Sequence, residues 1–336
     1  MKYLFYAKNY YKANLHTHST LSDGAMTPEE VKAAYKAKGY SILAITDHET
    51  CFSHQGMNED GFLMLTGYEL LTDQWDVPRM NMKTYHLNFI AKEPENRWQV
   101  YYPHIRPYMD QFIDQIVCDG FERRDYDVDQ INSIIRRANE HGFLVFYNHP
   151  VWSLQTRDDY IGLKGLWGVE VFNGSSYYTG FDEGMHQAYQ EFLCEGNRMF
   201  PLATDDAHRP DSIGWGWITV GADELTYPTV IRALENGDFY ASTGPEIYCV
   251  SIEGTVLHIS CSPAANISLA CHGRYARRVF ADGENYLTEV DLDIAVWFGR
   301  ITEEWKDQAF IRLCVTDPKG NRAWTRAYWY NELVSE

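Results

Sequence analysis

Short apolar runs that deliver a histidine or an acid at or near one end, separated by helix-like segments, organise the first two thirds of this chain. Ala13 to His18 reads as the end of a strand, Ile42 to Ile45 leads into Thr46-Asp47-His48, and Phe62 to Leu65 leads to Glu69. Tyr85 to Ala91 carries His86, Phe143 to Tyr147 leads into Asn148-His149-Pro150, Gly168 to Phe172 precedes Asn173-Gly174, and Met199 to Ala203 precedes Asp205-Asp206-Ala207-His208. Alternation of this kind predicts an α/β domain with its site at the carboxyl ends of the strands. His16 and His18, and again Asp206 and His208, stand two residues apart, a spacing that puts both side chains on one side of extended chain. If the first and last strands meet, the two pairs share one centre, and imidazole with carboxylate is the donor set of a metal site.

Between the runs lie helix signals. Thr27-Pro28-Glu29-Glu30 offers an N-cap, a proline at the first helical position and a capping-box glutamate, with Gly39 as the stop. Helices are also expected over Asp129 to His141, ended by Gly142, over about Asp182 to Glu195, and over about Thr229 to Asn236. Lys92 to Tyr126 reads as a long irregular stretch with one short helix around Met109 to Val117. Beyond Phe239 to Gly244 the pattern changes to short strands: Ile247 to Glu253, Val256 to Cys261, Ile267 to Cys271, Leu287 to Ile294, Phe310 to Thr316 and Ala323 to Tyr330, with Asp317-Pro318-Lys319-Gly320 as a hairpin turn. The expected division is residues 1–245 and a small antiparallel β domain over 246–336.

Composition narrows the function classes. A formal charge of -18 repels nucleic acid phosphates and offers no basic groove, so no nucleic acid partner is expected. No stretch approaches a membrane span, and Met1 to Asn14 has no apolar segment of the signal-peptide kind, so the expected location is the cytoplasm. The 7 cysteines are scattered without a Cys-x-x-Cys pair, which argues against both a disulfide framework and a thiolate zinc knuckle.

Taken in order, His16-x-His18, Ser22-Asp23-Gly24, Thr46-Asp47-His48, Glu69, His86, Asn148-His149-Pro150 and Asp206-x-His208 resemble the PHP (polymerase and histidinol phosphatase) domain over roughly residues 10 to 245. The continuation Tyr240-Ala241-Ser242-Thr243-Gly244-Pro245 and the trailing strands resemble the CehA/McbA-like metallohydrolases within that family. The resemblance implies a distorted, seven-stranded (β/α) barrel and three divalent ions, Zn, Mn or Fe. It implies a first ion on His16, His18, Glu69 and Asp206, a second on Glu69, His86 and His149, and a third on Asp23, His48 and His208, with Glu69 bridging the first two.

The activity implied by this resemblance is hydrolysis of small phosphate esters, monoester or cyclic diester, with a metal-bridging hydroxide attacking phosphorus. Glu69, Asp206 and His208 are the expected catalytic residues, and Arg209 and Asn173 the expected substrate contacts, by guanidinium match to phosphate and by amide hydrogen bond. The same resemblance admits carbamate, ester or amide hydrolysis, and a non-catalytic binding module is the reading from another class. Asp47 and Asp205, beside ligands, are expected to orient imidazoles. His54, His104, His141, His186, His258 and His272 are read as ordinary structural residues, and Trp215 and Trp217 as packing of a final barrel strand.

Overall fold

The computed structural model describes residues 1–100, 112–115, 117–118, 124–181 and 185–334. The strands in chain order are β1 (Lys2–Phe5), β2 (Asn9–Asn14), β3 (Ile42–Ile45), β4 (Leu63–Asp73), β5 (Thr84–Ala91), β6 (Trp98–Gln99), β7 (Val117–Cys118), β8 (Phe143–Tyr147), β9 (Gly168–Asn173) and β10 (Phe200–Thr204). They continue as β11 (Trp217–Ala222), β12 (Phe239–Ser242), β13 (Ile247–Glu253), β14 (Val256–Ala264), β15 (Asn266–Cys271), β16 (Ala276–Phe280), β17 (Leu287–Asp293), β18 (Phe310–Thr316), β19 (Arg322–Thr325) and β20 (Tyr328–Trp329).

The fold is mixed α/β. One sheet runs β10-β9-β8-β5-β4-β3-β2-β11-β12-β19-β18-β15-β16, with β20 on β18. Its first part is parallel at β10–β9, β9–β8, β4–β3 and β3–β2, but β5 runs antiparallel to both β4 and β8. The reason lies in the connections. β4 and β5 are joined by a short turn-rich segment without an α-helix, whereas α-helical segments lie between the parallel neighbours β2 and β3, β8 and β9, and β9 and β10. Past the last residues of β2 and β10, Thr17 bridges Ala207, the His18 N–H donates to Ala207 O at 2.9 Å, and the Asp206 N–H donates to His16 O at 2.9 Å.

Local chemistry explains the crossovers. Thr27 accepts from the Glu30 N–H and Glu30 Oε2 accepts from the Thr27 N–H, so the helix Pro28–Ala37 starts where the capping box predicts, burying Val31 and Tyr35. Asp127 caps Val128–Glu140, which buries Ile131, Ile134, Ile135 and Ala138, and Gly142 at φ 80° releases the chain into β8. Parallel strands covered on both faces read as unbroken apolar runs, as β3 and β8 do.

Several expectations shift in detail. The strand expected to reach His18 stops at Asn14, so His16 and His18 sit on extended chain just beyond it. Phe62 to Leu65 is the start of an 11-residue strand that carries Glu69 in its middle. The short helix expected around Met109 to Val117 lies mostly outside the described residues, where Ile113–Gln115 form one 3-10 turn, and Asp182 of the next expected helix lies outside them too. Strand β1 escaped the sequence reading: Lys2 pairs with Ile252, and Leu4 and Phe5 enter the core formed by β13, β14 and β17. The C-terminal strands therefore split, with β13, β14 and β17 in a sheet with β1 while β15, β16, β18 and β19 prolong the large sheet through β12. All the cysteines are unpaired. No helix among the described residues is long and apolar enough to cross a membrane.

Candidate metal centre

Every histidine and acid named for metal binding lies in one cluster. Ligand atoms that approach one another within 4.8 Å form four overlapping groups: His18, Asp23, His48 and His208; His16, His149 and Asp206; His16, His18 and Glu69; and His48, Glu69 and His86. The grouping differs from the expected partition in three places. His18 also belongs with Asp23, His48 and His208, His48 also belongs with Glu69 and His86, and His149 stands with His16 and Asp206 while keeping its Nε2 3.5 Å from Glu69.

Glu69 is the hub. Its Oε1 lies 3.2 Å from His16 Nε2 and 3.0 Å from His86 Nδ1, and its Oε2 lies 3.3 Å from His18 Nε2 and 3.1 Å from His48 Nδ1. Asp206 Oδ1 is 3.2 Å from His16 Nε2 and 3.1 Å from His18 Nε2. At the open side, Asp23 faces His208 Nε2 at 3.4 Å and His48 Nε2 at 3.6 Å.

Whether this set suits metal ions is decided by its own unmet valences. His16 Nε2, both ring nitrogens of His18, His48 Nδ1 and Glu69 Oε2 are buried and lack hydrogen-bond partners among the described residues. Such groups are costly singly, and His16 Nε2, His18 Nε2, His48 Nδ1 and Glu69 Oε2 converge, so cations placed among them would satisfy valences the protein leaves unmet. No thiolate intrudes, and imidazole with carboxylate suits the first-row divalent metals.

Electrostatics agree with that fit. Burial pushes the pKa of His18 down, but the Asp206 and Glu69 carboxylates outweigh it and raise it to about 10. His16 and His149 also rise against burial, driven by the same acids. Despite burial, Glu69, Asp206 and Asp23 are held well below the usual carboxylate range by the imidazoles around them. His48 goes the other way, to about 3, because burial and the neighbouring His18 and His86 outweigh Glu69 and Asp23. Without a metal, protons on the imidazoles supply the positive charge the acids demand.

The ligands are aimed by residues behind them. Glu170, fully buried in β9, holds His16 Nδ1 at 2.7 Å, accepts from the His149 N–H at 2.9 Å and from Asn173 Nδ2 at 3.0 Å, and takes the Thr204 hydroxyl. Ser153 Oγ lies 3.1 Å from His149 Nδ1, which turns Nε2 towards the acids. Asn148 Nδ2 donates to Glu69 Oε1 at 2.7 Å. His149 and Asp206 have positive φ, 21° and 51°, conformations rare for non-glycine residues and kept where surrounding contacts over-determine them. Gly24 lets the Asp23 turn press against the backbone of His18, where a Cβ would come within 2.6 Å of the carbonyl carbon.

A buried ion pair anchors the second flank. Glu49, at φ 56°, follows His48, and its N–H donates to Glu69 O at 2.7 Å. Its carboxylate accepts from the Leu71 N–H at 2.9 Å and from Arg124, which also donates to Leu71 O and Val100 O. One carboxylate thus holds the backbones that carry two ligands. Neither Glu49 nor Glu170 was singled out from sequence, because each lies within or beside an apolar run and its partner is far along the chain.

Other expectations change. Asp47 accepts from Ser19 and Ser22, and Asp205 accepts from the N–H groups of Gly214, Trp215 and Gly216, so these acids shape the turns beside the ligands and orient no imidazole. Burial, only partly offset by those N–H groups, raises Asp205 to about 6. Asn173 is fully buried with its amide engaged by Glu170, Asp206 and the Ser176 N–H, so it steadies Asp206 within the protein. Arg209 has a side chain 65% exposed and 4.0 Å from Asp211, directed at a surface acid. His141 stacks on Trp98 at 3.6 Å, a structural role, and Trp217 begins β11 as a packing residue over Lys12.

Residues 14–117 of the chain match the family model of the PHP domain. Over 69 residues it is 36% identical to a 5'-3' exoribonuclease of Haemophilus influenzae, an alignment covering 19% of this chain and 25% of that protein. The chain thus spans about a quarter of that relative's length. Among solved structures, one of a two-domain protein containing a predicted PHP-like metal-dependent phosphoesterase, from Bacteroides vulgatus, aligns over 98% of both chains at 16% identity and a TM-score of 0.46. A lesion-specific endonuclease of Pyrococcus furiosus aligns over 68% of this chain and 56% of its own at 13% identity and a TM-score of 0.37.

Proposed function

We propose that this protein is a metal-dependent hydrolase of small phosphate esters, holding three divalent ions on His16, His18, Asp23, His48, Glu69, His86, His149, Asp206 and His208. The observation that carries the reading is the cluster of buried, unpartnered ligand atoms around Glu69. Divalent ions in such a centre supply a water nucleophile at neutral pH and stabilise charge on the attacking and leaving oxygens. The chain's own part is to hold Glu69 between four imidazoles as the bridging group, with Asp206 against His16 and His18. His208, with 32% of its side chain exposed, keeps Nδ1 on Asp206 O at 3.0 Å and presents Nε2 at the mouth, where with Asp23 and His48 it would hold the third ion. The Thr17–Ala207 bridge supports reading the strands β10 to β2 as a closed seven-stranded barrel, with residues 246–336 as a second domain that borrows β1.

A second reading, hydrolysis of a carbamate, ester or amide as in the CehA/McbA-like relatives, is favoured by one observation. Of the arginines near the ligands, Arg124 is buried on Glu49 and Arg209 lies exposed, 4.0 Å from Asp211, while an indole, Trp152, lies against His86 and His149. The deciding experiment screens the metal-loaded protein on phosphomonoesters, cyclic and linear nucleotide diesters, oligonucleotides, carbamates and amides, beside Glu69→Ala and His149→Ala. Turnover of a phosphate ester that both substitutions abolish is expected. Equal activity in all three proteins rejects the site, and turnover confined to carbonyl substrates moves the assignment to the second reading.

A further inference from the structure

The geometry points to Trp152 as the wall of a ring-binding subsite beside the metal centre, so that the substrate is an ester whose leaving group carries a flat aromatic or heteroaromatic ring. This rests on the phosphate-ester reading for the reacting group but on its own observations for the ring. The Trp152 indole centroid lies 5.0 Å from the His149 ring and 5.5 Å from the His86 ring, at interplanar angles of 81° and 58°. Neither contact is a parallel stack. Trp98 and His141, by contrast, lie 3.6 Å apart at 1°, a ring face already filled. Trp152 thus touches two ligand imidazoles and still keeps 43% of its surface exposed, beside ligands that are themselves buried.

The backbone holds the indole in this place. The Ser153 N–H donates to His149 O at 3.1 Å, the Leu154 N–H to Val151 O at 3.1 Å and the Gln155 N–H to Pro150 O at 3.0 Å, while Leu154 takes φ 55°. The turn is thereby tied to a ligand on one side, which keeps the Trp152 backbone beside the metal centre. An exposed aromatic fixed against a reaction centre offers a π-face to a planar group, and such stacking tolerates many ring types. A ring on the leaving group, two or three bonds from the phosphorus, falls within the reach of an indole in contact with the ligands.

The test compares benzylphosphonate with ethylphosphonate by calorimetry on metal-loaded protein, in wild type, Trp152→Phe and Trp152→Leu, with metal content measured in each to show an intact centre. Wild type is expected to prefer the benzyl compound by roughly tenfold, the usual scale of one stacked ring. Trp152→Phe keeps most of that preference. Trp152→Leu, which retains apolar bulk but no planar face, loses it. Equal binding or no binding of the two compounds in wild type, or a preference that survives in Trp152→Leu, overturns the proposal. Turnover of benzyl phosphate is measured separately. Ring preference without hydrolysis of this ester would count against the phosphatase reading while leaving the ring subsite in place.

Discussion

Glu170 Oε1 lies 2.7 Å from His16 Nδ1, and both side chains are fully buried. The contact fixes which nitrogen of His16 is left for a cation. Because the same carboxylate also accepts from the His149 N–H, it aims two ligands at once. Glu170→Gln is expected to weaken metal affinity about 10- to 100-fold, the usual cost of removing a partner behind a ligating histidine. Titration with Mn²⁺ or Zn²⁺ checks it, with circular dichroism confirming the fold. Unchanged affinity would show that His16 needs no such support.

Metal uptake is expected to release protons. His18, raised to about 10, carries a proton at neutral pH in the metal-free protein, the surrounding carboxylates push His16 and His149 in the same direction, and a ligating imidazole must give its proton up. Apparent affinity therefore climbs with pH from the ordinary histidine value of 6.5 towards about 10. In the metal-free protein the sign for stability is opposite. A raised histidine pKa contributes stability fully below about 6.5, and that contribution declines as pH rises to about 10. Calorimetry in buffers of different ionisation heat, and urea unfolding of chelated protein at several pH values, read the two trends.

The Glu49–Arg124 pair gives a third prediction. Arg124→Met leaves a buried carboxylate without its counter-charge and is expected to cost about 3–5 kcal/mol, lowering the unfolding midpoint in urea. Burial already pushes the Glu49 pKa up, with Arg124 opposing it, so removing the guanidinium raises it further and favours the neutral acid. Adding Glu49→Gln is expected to recover part of the loss. A double variant no better than the single one would show that the penalty lies in packing.

Gly24→Ala tests the close turn at the open side. The new Cβ would stand 2.6 Å from the His18 carbonyl carbon and oxygen, backbone atoms that cannot step aside cheaply. A destabilisation of about 1–3 kcal/mol is expected, together with weaker binding of the ion held by Asp23 and His208. Thermal unfolding with and without metal separates the two effects, since a purely structural change would leave the metal-induced shift in melting temperature intact.

The pairs His16 and His18, and Asp206 and His208, were legible because each stands just past a strand end with a spacing that extended backbone converts into convergence, whereas Glu69 and His86 lie inside strands. Ile42–Ile45 and Phe143–Tyr147 were legible because a doubly covered strand must be apolar throughout. Strand β1 was not, since Lys2–Phe5 becomes a strand only through β13, whose paired residues come some 250 positions later. Asp47 and Asp205 looked like imidazole partners by adjacency, yet adjacency does not say which way a strand-end acid points, and both turn to nearby N–H and O–H groups instead.

By itself the amino-acid order determined the donor chemistry, because residue type and a two-residue period are local properties of the chain. Only the tertiary structure decided which donors lie within reach of one another and what stands behind them. His18 reaches Asp23 and His48 as well as Glu69 and Asp206, and Glu170, in an apolar strand, meets His16 across 154 positions. Those relations depend on distances of a few ångströms between separate strands, fixed by packing and sheet order, which no local pattern encodes.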